Sequence, residues 1–150
     1  FVGRLNDQKN LYLLLSALEN TGIGLDVIGE GEMRMALESE ANRLGLNVNF
    51  LGPLPNDQLA EIYQNHKIYI LCSRFEGNPK TLLEAMACDL PILASDISGI
   101  REILEPYKES LFEVGNNNEL CEKLKQLLYE IDTRKKQNFI CETSGSVFRR

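Results

Sequence analysis

The sequence predicts an α/β fold in which helices cover both faces of a doubly wound parallel sheet of about six strands. Short apolar runs alternate along the chain with longer stretches whose apolar residues recur at helical spacing. The short runs are apolar at nearly every position, as strands buried between two helical layers require. The length of 150 residues fits one domain of this kind.

The first half of the chain predicts three strands, each followed by a helix. Residues 1–3 are the end of the first strand. The helix after them has leucines at i, i+3, i+4 and i+7 on its apolar face, namely Leu11, Leu14, Leu15 and Leu18. Residues 25–29 are the second strand, and the helix after it closes at Gly45. Residues 48–51 are the third strand, and Asn56 or Asp57 caps the next helix.

The second half predicts three more strands, at residues 68–71, 91–95 and 111–114. A helix running through Ala87 follows the first of them, and a short helix around residues 100–104 follows the second. A long final helix has an apolar stripe that consists of Leu120, Leu124, Leu127, Leu128 and Ile131. Helical periodicity fades after about Thr133, so residues 132–150 are expected to form a loose or partly helical tail.

Composition excludes several classes of protein. The chain has 16 Lys and Arg against 22 Asp and Glu, a formal net charge of −6, which argues against a broad nucleic-acid-binding surface. No apolar run approaches eighteen residues, so no membrane-spanning segment is expected. His66 is the only histidine and no CxxC pair occurs, so no zinc site is expected. The four cysteines are expected to be reduced, buried thiols: Cys72, Cys88, Cys121 and Cys141.

Ligands of doubly wound folds bind beyond the carboxyl ends of the strands, so the loops after the strands are the candidate site. The first loop carries Arg4 and Lys9 beside the start of a helix. Helix N-termini attract anions, and two cations strengthen that attraction. The alternative is that both cations are merely solvated. The Gly-Glu-Gly at residues 29–31 either lets a ligand approach the backbone or forms a plain turn.

The most informative loop is Phe-Glu-Gly-Asn-Pro-Lys-Thr-Leu-Leu-Glu, residues 75–84. Pro79 suits the first turn of a helix, which leaves Glu76 on the loop and puts Glu84 one to two turns into the helix. That helix is apolar nearly all round, which predicts burial. A buried carboxylate needs partners, and vicinal hydroxyls of a ribose match its two oxygens. The alternative is that Glu84 accepts from the protein's own donors. The first N–H groups of the helix are available to a phosphate.

Six motifs follow one another in a fixed order: residues 2–5 with Lys9, 27–31, 50–52, 75–84, 85–91 and 99–102. In this order they resemble the C-terminal, donor-binding domain of retaining GT-B glycosyltransferases of family 4, in which the Glu-x7-Glu pair is a hallmark. The resemblance covers residues 1–131 and implies a Rossmann-like, nucleotide-sugar-binding domain. It also implies that an N-terminal acceptor domain is absent from this chain, which begins in mid-strand. The 150 residues alone are therefore expected not to transfer sugar.

The resemblance implies a role for each matching residue. Arg4 and Lys9 would grip the donor diphosphate, and Glu76 would contact the transferred sugar. Glu84 would hold the ribose hydroxyls. The other donor-binding positions would contact phosphate, sugar or base: Gly3, Gly29, Gly31, Gly52, Leu54, Gly77, Asn78, Pro79, Lys80, Thr81 and Leu82. No metal and no cofactor is implied, because a nucleoside-diphosphate sugar of the UDP or GDP type is a substrate.

The implied activity is that of a hexosyltransferase acting on a glycan or lipid-linked acceptor with retention of configuration, as in polysaccharide biosynthesis. The cations would stabilise charge growing on the leaving diphosphate, and the sugar would pass through a cation-like state. Whether Glu76 is a nucleophile or only a sugar contact stays open. The expected location is cytoplasmic, with peripheral association at the inner face of the cell membrane as an alternative. Two other functions stay open: a non-catalytic nucleotide-sugar-binding or interaction module, and a GT-B sugar-nucleotide epimerase.

Two positions depart from the family pattern. Asp89 stands where the family usually has Gly in the turn before Leu90, and Asn10 replaces a frequent Gly after Lys9. If position 89 requires a positive φ angle, Asp adopts it less readily than Gly, whereas Asn at position 10 is a common variation.

Overall fold

The computed structural model describes the backbone of residues 1–145 and the side chains of residues 1–134. Within this part all strands pair in parallel, which confirms the predicted α/β class. The strands are β1 (Leu25–Ile28), β2 (Val48–Gly52), β3 (Tyr69–Leu71), β4 (Ile92–Ser95) and β5 (Leu111–Phe112). β1 pairs with β2, and β4 lies between β3 and β5.

The prediction of about six strands is wrong by one, because residues 1–3 make only a single bridge, between Val2 and Ile28. The Ile28 amide donates to the Phe1 carbonyl, and the Gly3 amide donates to the Ile28 carbonyl, both at 2.9 Å. The chain then turns into a short 3-10 helix, Asp7–Lys9, so the ladder does not continue. The predicted strand end is therefore present as one bridge.

Six α-helices fill the intervals between and after the strands of the described chain. They are α1 (Leu11–Leu18), α2 (Arg34–Arg43), α3 (Asn56–Gln64), α4 (Lys80–Ala87), α5 (Ser98–Arg101) and α6 (Asn117–Gly145). A second 3-10 helix, Glu105–Ser110, leads into β5. α1 packs against α2 and α6, and α3 packs against α4. The pairing of α3 with α4 brings side chains of both helices to the candidate site.

One hydrophobic core joins the strands to the helices. The first helix buries Leu14 and Leu15, and the last helix buries Leu120 and Leu124, as their spacing predicts. Both faces of β3 and β4 are buried, which explains why their sequences are apolar without alternation. The helix α6 continues to Gly145, and the last part of the predicted tail, residues 146–150, lies outside the described residues.

The two departures from the family pattern both fall on left-handed backbone. Asp89 has φ 54° and Asn10 has φ 52°. Asp89 follows the last turn of α4, where the Leu90 amide donates to the Ala85 carbonyl at 3.1 Å and the Asp89 amide donates to the Met86 carbonyl at 3.0 Å. This is a Schellman-type helix end, which favours glycine at the residue that Asp89 occupies.

The expectation that the cysteines are buried is confirmed for Cys72 but not for Cys88 and Cys121. Cys72 is buried, and burial raises the pKa of its thiol to about 12, so it is inert as a nucleophile. Cys88 and Cys121 are half-buried and unpaired, whereas the Cys141 side chain lies outside the described part. Among the described residues, no helix combines the length and the apolar character that crossing a bilayer requires.

Candidate functional site

Backbone hydrogen bonds join the first three loops at the carboxyl ends of the strands. The Leu5 amide donates to the Glu30 carbonyl at 2.9 Å, and the Met33 amide donates to the Leu5 carbonyl at 3.0 Å. The Gly29 amide donates to the Gly52 carbonyl at 2.8 Å. The loop with Arg4 is thereby fixed beside the two loops that were predicted to flank the base.

The Gly-Glu-Gly loop is glycine-rich because the first loop lies directly against it. A Cβ added at Gly29 would overlap the Gly3 carbonyl oxygen and lie 2.9 Å from the Gly3 carbonyl carbon. A Cβ added at Gly31 would overlap the Leu5 carbonyl oxygen and lie 2.6 Å from the Leu5 carbonyl carbon. Real Cβ atoms do not approach this closely. Packing within the protein therefore accounts for both glycines without a ligand.

Arg34 closes this side of the site, which the sequence did not indicate. Its guanidinium forms an ion pair with Glu30, donates to Glu38 at 2.8 Å and donates to the Phe50 carbonyl at 3.1 Å. Gly52 lies beside this ion pair, and Leu54 follows it in a half-buried position. Glu30 and Glu38 lie four residues before and after Arg34, a helical spacing that sequence reasoning missed, whereas the Phe50 carbonyl comes from β2.

The first loop is also tied to the loop after β3. The Gln8 side chain donates to the Phe75 carbonyl at 2.9 Å, and the Arg74 amide donates to the Gln8 carbonyl at 2.8 Å. Arg74 lies 3.6 Å from Asp7 as an exposed ion pair. These contacts, 67 residues apart in sequence for Gln8 and Phe75, bring Lys9 to Glu76.

Lys9 and Glu76 form an ion pair, with side chains only 15% and 7% exposed. The Ser73 hydroxyl donates to the same carboxylate oxygen, Oε1, at 2.6 Å. The other oxygen, Oε2, has no partner among the described residues and is not a buried unsatisfied atom, so it faces solvent. Two residues that were predicted to contact different parts of one ligand thus contact each other.

Arg4 and Lys80 are the exposed cations of the site. Neither side chain has a hydrogen bond or an ion pair within the part of the chain that the structure describes. Lys80 begins α4, whose first turn includes Thr81 and Leu82; Gly77 and Asn78 just before it are exposed, whereas Pro79 is buried. The backbone N–H groups of Gly77, Asn78 and Thr81 are likewise unpaired in the described structure. Unpaired N–H groups at a helix N-terminus favour an anion.

Glu84 lies in the second turn of α4 and is half-buried. The Tyr63 hydroxyl of α3 donates to its Oε2 at 3.3 Å, and Oε1 has no partner among the described residues. Burial and then the charge of Glu84 raise the pKa of Tyr63 well above its usual range, so the phenol stays a donor. Sequence reasoning gave Tyr63 no role in the site, because only the packing of α3 on α4 reveals its contact with Glu84.

The prediction that α4 is buried all round is wrong. Leu82 and Ala85 are buried, but Leu83 is 43% exposed. The apolar sequence of α4 therefore supplies one buried face and one open face. Glu84 lies between these faces, where its carboxylate can be reached from solvent.

The short helix α5 lies against the loop that carries Glu76. A Cβ added at Gly99 would overlap the Glu76 carbonyl oxygen, 3.1 Å from its carbon and 3.3 Å from the Gly77 oxygen. Sequence reasoning placed Gly99 in a motif without giving it a role. Gly99 is needed because two loops approach each other closely there, and a single sequence does not show which loops meet.

The arrangement can bind an anion that is joined to a polyhydroxylated group. In the described chain, the loops after the strands and the start of α4 carry two unpaired cations, Arg4 and Lys80. The same segments carry two carboxylates, Glu76 and Glu84, and each carboxylate has one oxygen without a protein partner. In the described residues, no group of three His, Cys, Asp or Glu side chains is placed to hold a metal ion.

Curated relatives share this sequence pattern. An α-1,4-N-acetyl-D-galactosaminyltransferase of Campylobacter jejuni is 31% identical over 144 residues, which are 90% of this chain and 39% of that protein. The sulfoquinovosyl transferase of Arabidopsis thaliana is 30% identical over 138 residues, 89% of this chain and 27% of that protein. The chain spans less than half the length of these relatives.

Solved structures share the fold. The catalytic domain of cholesterol-α-glucosyltransferase from Helicobacter pylori superposes with a TM-score of 0.81 at 23% identity, over 98% of this chain and 96% of that one. The Anabaena protein HepE in complex with UDP-glucose superposes with a TM-score of 0.77 at 25% identity, over 89% of this chain and 40% of that one. The sequence model for glycosyl transferases group 1 matches residues 1–140. The chain therefore belongs to the group 1 glycosyl transferases and has the GT-B type of α/β fold.

Proposed function

We propose that this chain is the donor-binding half of a retaining glycosyltransferase that moves a hexosyl group from a nucleoside-diphosphate sugar to a glycan or lipid-linked acceptor. The acceptor site belongs to a second domain that faces the carboxyl ends of the strands. The relative in Campylobacter jejuni is named for a PP-undecaprenol-linked saccharide. A relative in Mycobacterium tuberculosis is named as a GDP-mannose-dependent α-mannosyltransferase. These names support a sugar nucleotide and a lipid-linked acceptor as the substrate classes.

The diphosphate binds at the N-terminus of α4, between Arg4 and Lys80. This assignment is supported by the two unpaired cations and by the free N–H groups of Gly77, Asn78 and Thr81 within the described chain. Charge-assisted hydrogen bonds of this kind are the strong ones, and the partial positive charge of the helix end adds to them. No metal and no cofactor takes part, because these groups balance the charge of the diphosphate.

The two carboxylates bind the two polyols of the donor. Glu84 accepts hydrogen bonds from the ribose, since Oε1 is open and the carboxylate is half-buried. Glu76 contacts the transferred sugar through Oε2, because Lys9 and Ser73 occupy Oε1. Lys9 acts on the diphosphate from beside Glu76, and the loops at Gly29, Gly31, Gly52 and Leu54 border the base.

The transfer breaks the bond between the anomeric carbon and the diphosphate oxygen and forms a bond from that carbon to an acceptor oxygen. Negative charge grows on the departing diphosphate, where Arg4, Lys9 and the helix N-terminus stabilise it. The sugar ring carries the opposite charge in the transition state. The acceptor hydroxyl attacks on the face from which the diphosphate leaves, which retains configuration, and its proton passes to a diphosphate oxygen. The reaction takes place on the cytoplasmic side, where a lipid-linked acceptor lies at the inner face of the membrane.

The observation that carries this proposal is that the side chains of Arg4 and Lys80 have no partner in the described part of the chain, where the first N–H groups of α4 are also unpaired. Isothermal titration of the chain with UDP, GDP, ADP and their nucleosides tests it. Arg4→Ala is expected to weaken the diphosphate by about tenfold, the equivalent of one charge-assisted hydrogen bond, and to leave the nucleoside unchanged.

Arg43→Ala is the matched control, because Arg43 is an exposed arginine that pairs with Glu40 at 2.7 Å on α2. It is expected to leave both affinities unchanged. A wild-type chain that binds none of the three diphosphates, or equal losses for nucleoside and diphosphate in Arg4→Ala, would contradict the proposal. Sugar transfer by the full-length protein then separates a transferase from a binding module and from an epimerase.

A further inference from the structure

We infer that Ser73 and Gly99 are positioning residues that hold Glu76 with a single carboxylate oxygen, Oε2, directed at the donor sugar. The inference rests on the proposed function, because it assigns the sugar contact to Glu76. It concerns two residues to which the proposed function assigns no contact with the donor. They act on the side chain and on the backbone of Glu76, and their effects can be tested separately.

Ser73 controls the side chain. It is fully buried directly after β3, and its hydroxyl lies 2.6 Å from Glu76 Oε1. Lys9 approaches the same oxygen from the first loop. With two donors on Oε1, rotation of the carboxyl group would break both contacts, so Oε2 keeps one direction. A carboxylate that is fixed in this way loses little rotational freedom when a sugar hydroxyl binds to it.

Gly99 controls the backbone. Its Cα lies so close to the Glu76 carbonyl that an added Cβ would overlap the oxygen and approach the Gly77 oxygen to 3.3 Å. Neither neighbour is a flexible side-chain end, since both are backbone atoms. Any larger residue at 99 must therefore displace the loop that carries Glu76. Productive contacts tolerate displacements of only about 0.5 Å, so this displacement is expected to remove the sugar contact.

The chain contains a matched control for each residue. Ser95 ends β4 as a second fully buried serine, and its hydroxyl donates to the Leu71 carbonyl at 3.3 Å instead of to Glu76. Ser98 precedes Gly99 on the same helix and is exposed. Ser95→Ala thus removes a buried hydroxyl, as Ser73→Ala does, but from a serine that does not contact Glu76. Ser98→Ala changes α5, as Gly99→Ala does, but at a side chain that does not contact Glu76.

The experiment is a titration of the chain with matched pairs of probes: UDP and UDP-glucose, UDP and UDP-N-acetylglucosamine, GDP and GDP-mannose. The quantity of interest is the sugar ratio. We define it as the Kd of the nucleoside diphosphate divided by the Kd of the matching sugar nucleotide, for the pair that binds best. Ser73→Ala and Gly99→Ala are expected to lower this ratio at least threefold and to change the Kd of the nucleotide less than twofold. Ser95→Ala and Ser98→Ala are expected to leave the ratio unchanged, and Ser73→Thr, which restores a hydroxyl, to recover part of it.

A purely structural role would weaken nucleotide and sugar nucleotide alike, so an unchanged ratio in folded Ser73→Ala and Gly99→Ala overturns the inference. A sugar ratio that Glu76→Ala leaves unchanged also overturns it, because the sugar then gains nothing from Glu76. A wild-type chain that binds no nucleotide refutes the proposed function instead. In that case crystal structures of the two variants still decide the question of position: an unmoved Glu76 carboxylate and carbonyl would overturn the inference.

Discussion

Replacement of Glu84 by alanine should weaken nucleoside diphosphates by about ten- to a hundredfold, and the structure sets these limits. The single protein donor of Glu84 among the described residues is the Tyr63 hydroxyl, at a distance of 3.3 Å that is long for an O–H···O bond. The carboxylate therefore keeps room for both hydroxyls of a ribose. A hydrogen bond to a charged group contributes about 1.5–3 kcal/mol, and half-burial favours the lower value. One such bond corresponds to about tenfold in affinity and two to about a hundredfold.

The assay is isothermal titration with the diphosphate that binds best to the wild-type chain, repeated with its 2′,3′-dideoxy analogue. The loss in Glu84→Ala should disappear with the analogue, since both hydroxyls that the carboxylate would accept from are absent. Glu61→Ala, at an exposed glutamate of α3, is the control and should behave like wild type. An equal loss for the analogue, or no loss for the natural nucleotide in a folded variant, would refute the reasoning that Glu84 binds ribose.

Three further predictions concern stability. Asp89→Gly should raise the free energy of unfolding by about 0.5–1 kcal/mol. Glycine adopts the left-handed angle of φ 54° without the strain that an L side chain adds, and the greater entropy of glycine in the unfolded chain offsets part of this gain. Urea denaturation measures the change, and a lower midpoint would contradict the prediction. Gly31→Ala should lower the free energy of unfolding by about 1–3 kcal/mol through overlap with the Leu5 carbonyl, whereas Gly77→Ala, with nothing within 4 Å of its Cβ, should stay within about 0.5 kcal/mol of wild type. Burial raises the pKa of Asp26, but hydrogen bonds from neighbouring Asn and His side chains outweigh it and hold that pKa below its usual value. The stability that the Asp26 carboxylate contributes is therefore present above the unfolded pKa of about 3.9 and is lost as the pH falls through the lower, folded value. The difference in unfolding free energy between wild type and Asp26→Asn should accordingly shrink as the pH falls below about 4, and a difference that grows in acid would contradict this assignment.

The fold was predictable because burial on both faces leaves a direct mark on composition. β3 and β4 are apolar at every position but Ser95, and the leucine stripe of α1 faces the core. The miscounted strand at residues 1–3 shows the limit of this signal. Apolar character indicates burial, but whether a ladder continues depends on where the chain turns, and here it turns at Asp7. The open face of α4 at Leu83 was missed for the same reason, since an apolar residue need not be buried.

The candidate site was predictable as a set of loops but not as a set of contacts. Arg4, Lys9, Glu76 and Glu84 all lie on loops or helix turns that follow strands, as a doubly wound sheet requires. The pairing of Lys9 with Glu76 and of Tyr63 with Glu84 spans 67 and 21 residues. Contacts over such separations depend on which loops meet at the sheet edge. Local spacing carries no information on that question, so these partners were missed.

The ion pair between Lys9 and Glu76 divides the cations of the site into two kinds. A carboxylate that is only 7% exposed is strongly disfavoured without a partner, and Lys9 is that partner. The side chains of Lys9 and Glu76 thus lose their conformational entropy during folding and not during binding. Arg4 and Lys80 have no such partner in the described structure and remain in water, where salt screens them. On the proposed function, rising ionic strength should weaken the attraction of the diphosphate to Arg4 and Lys80 while the orientation of Glu76 stays fixed. The factor by which Ser73→Ala lowers the sugar ratio should therefore be nearly independent of salt, even where the affinities for nucleotide and sugar nucleotide both fall.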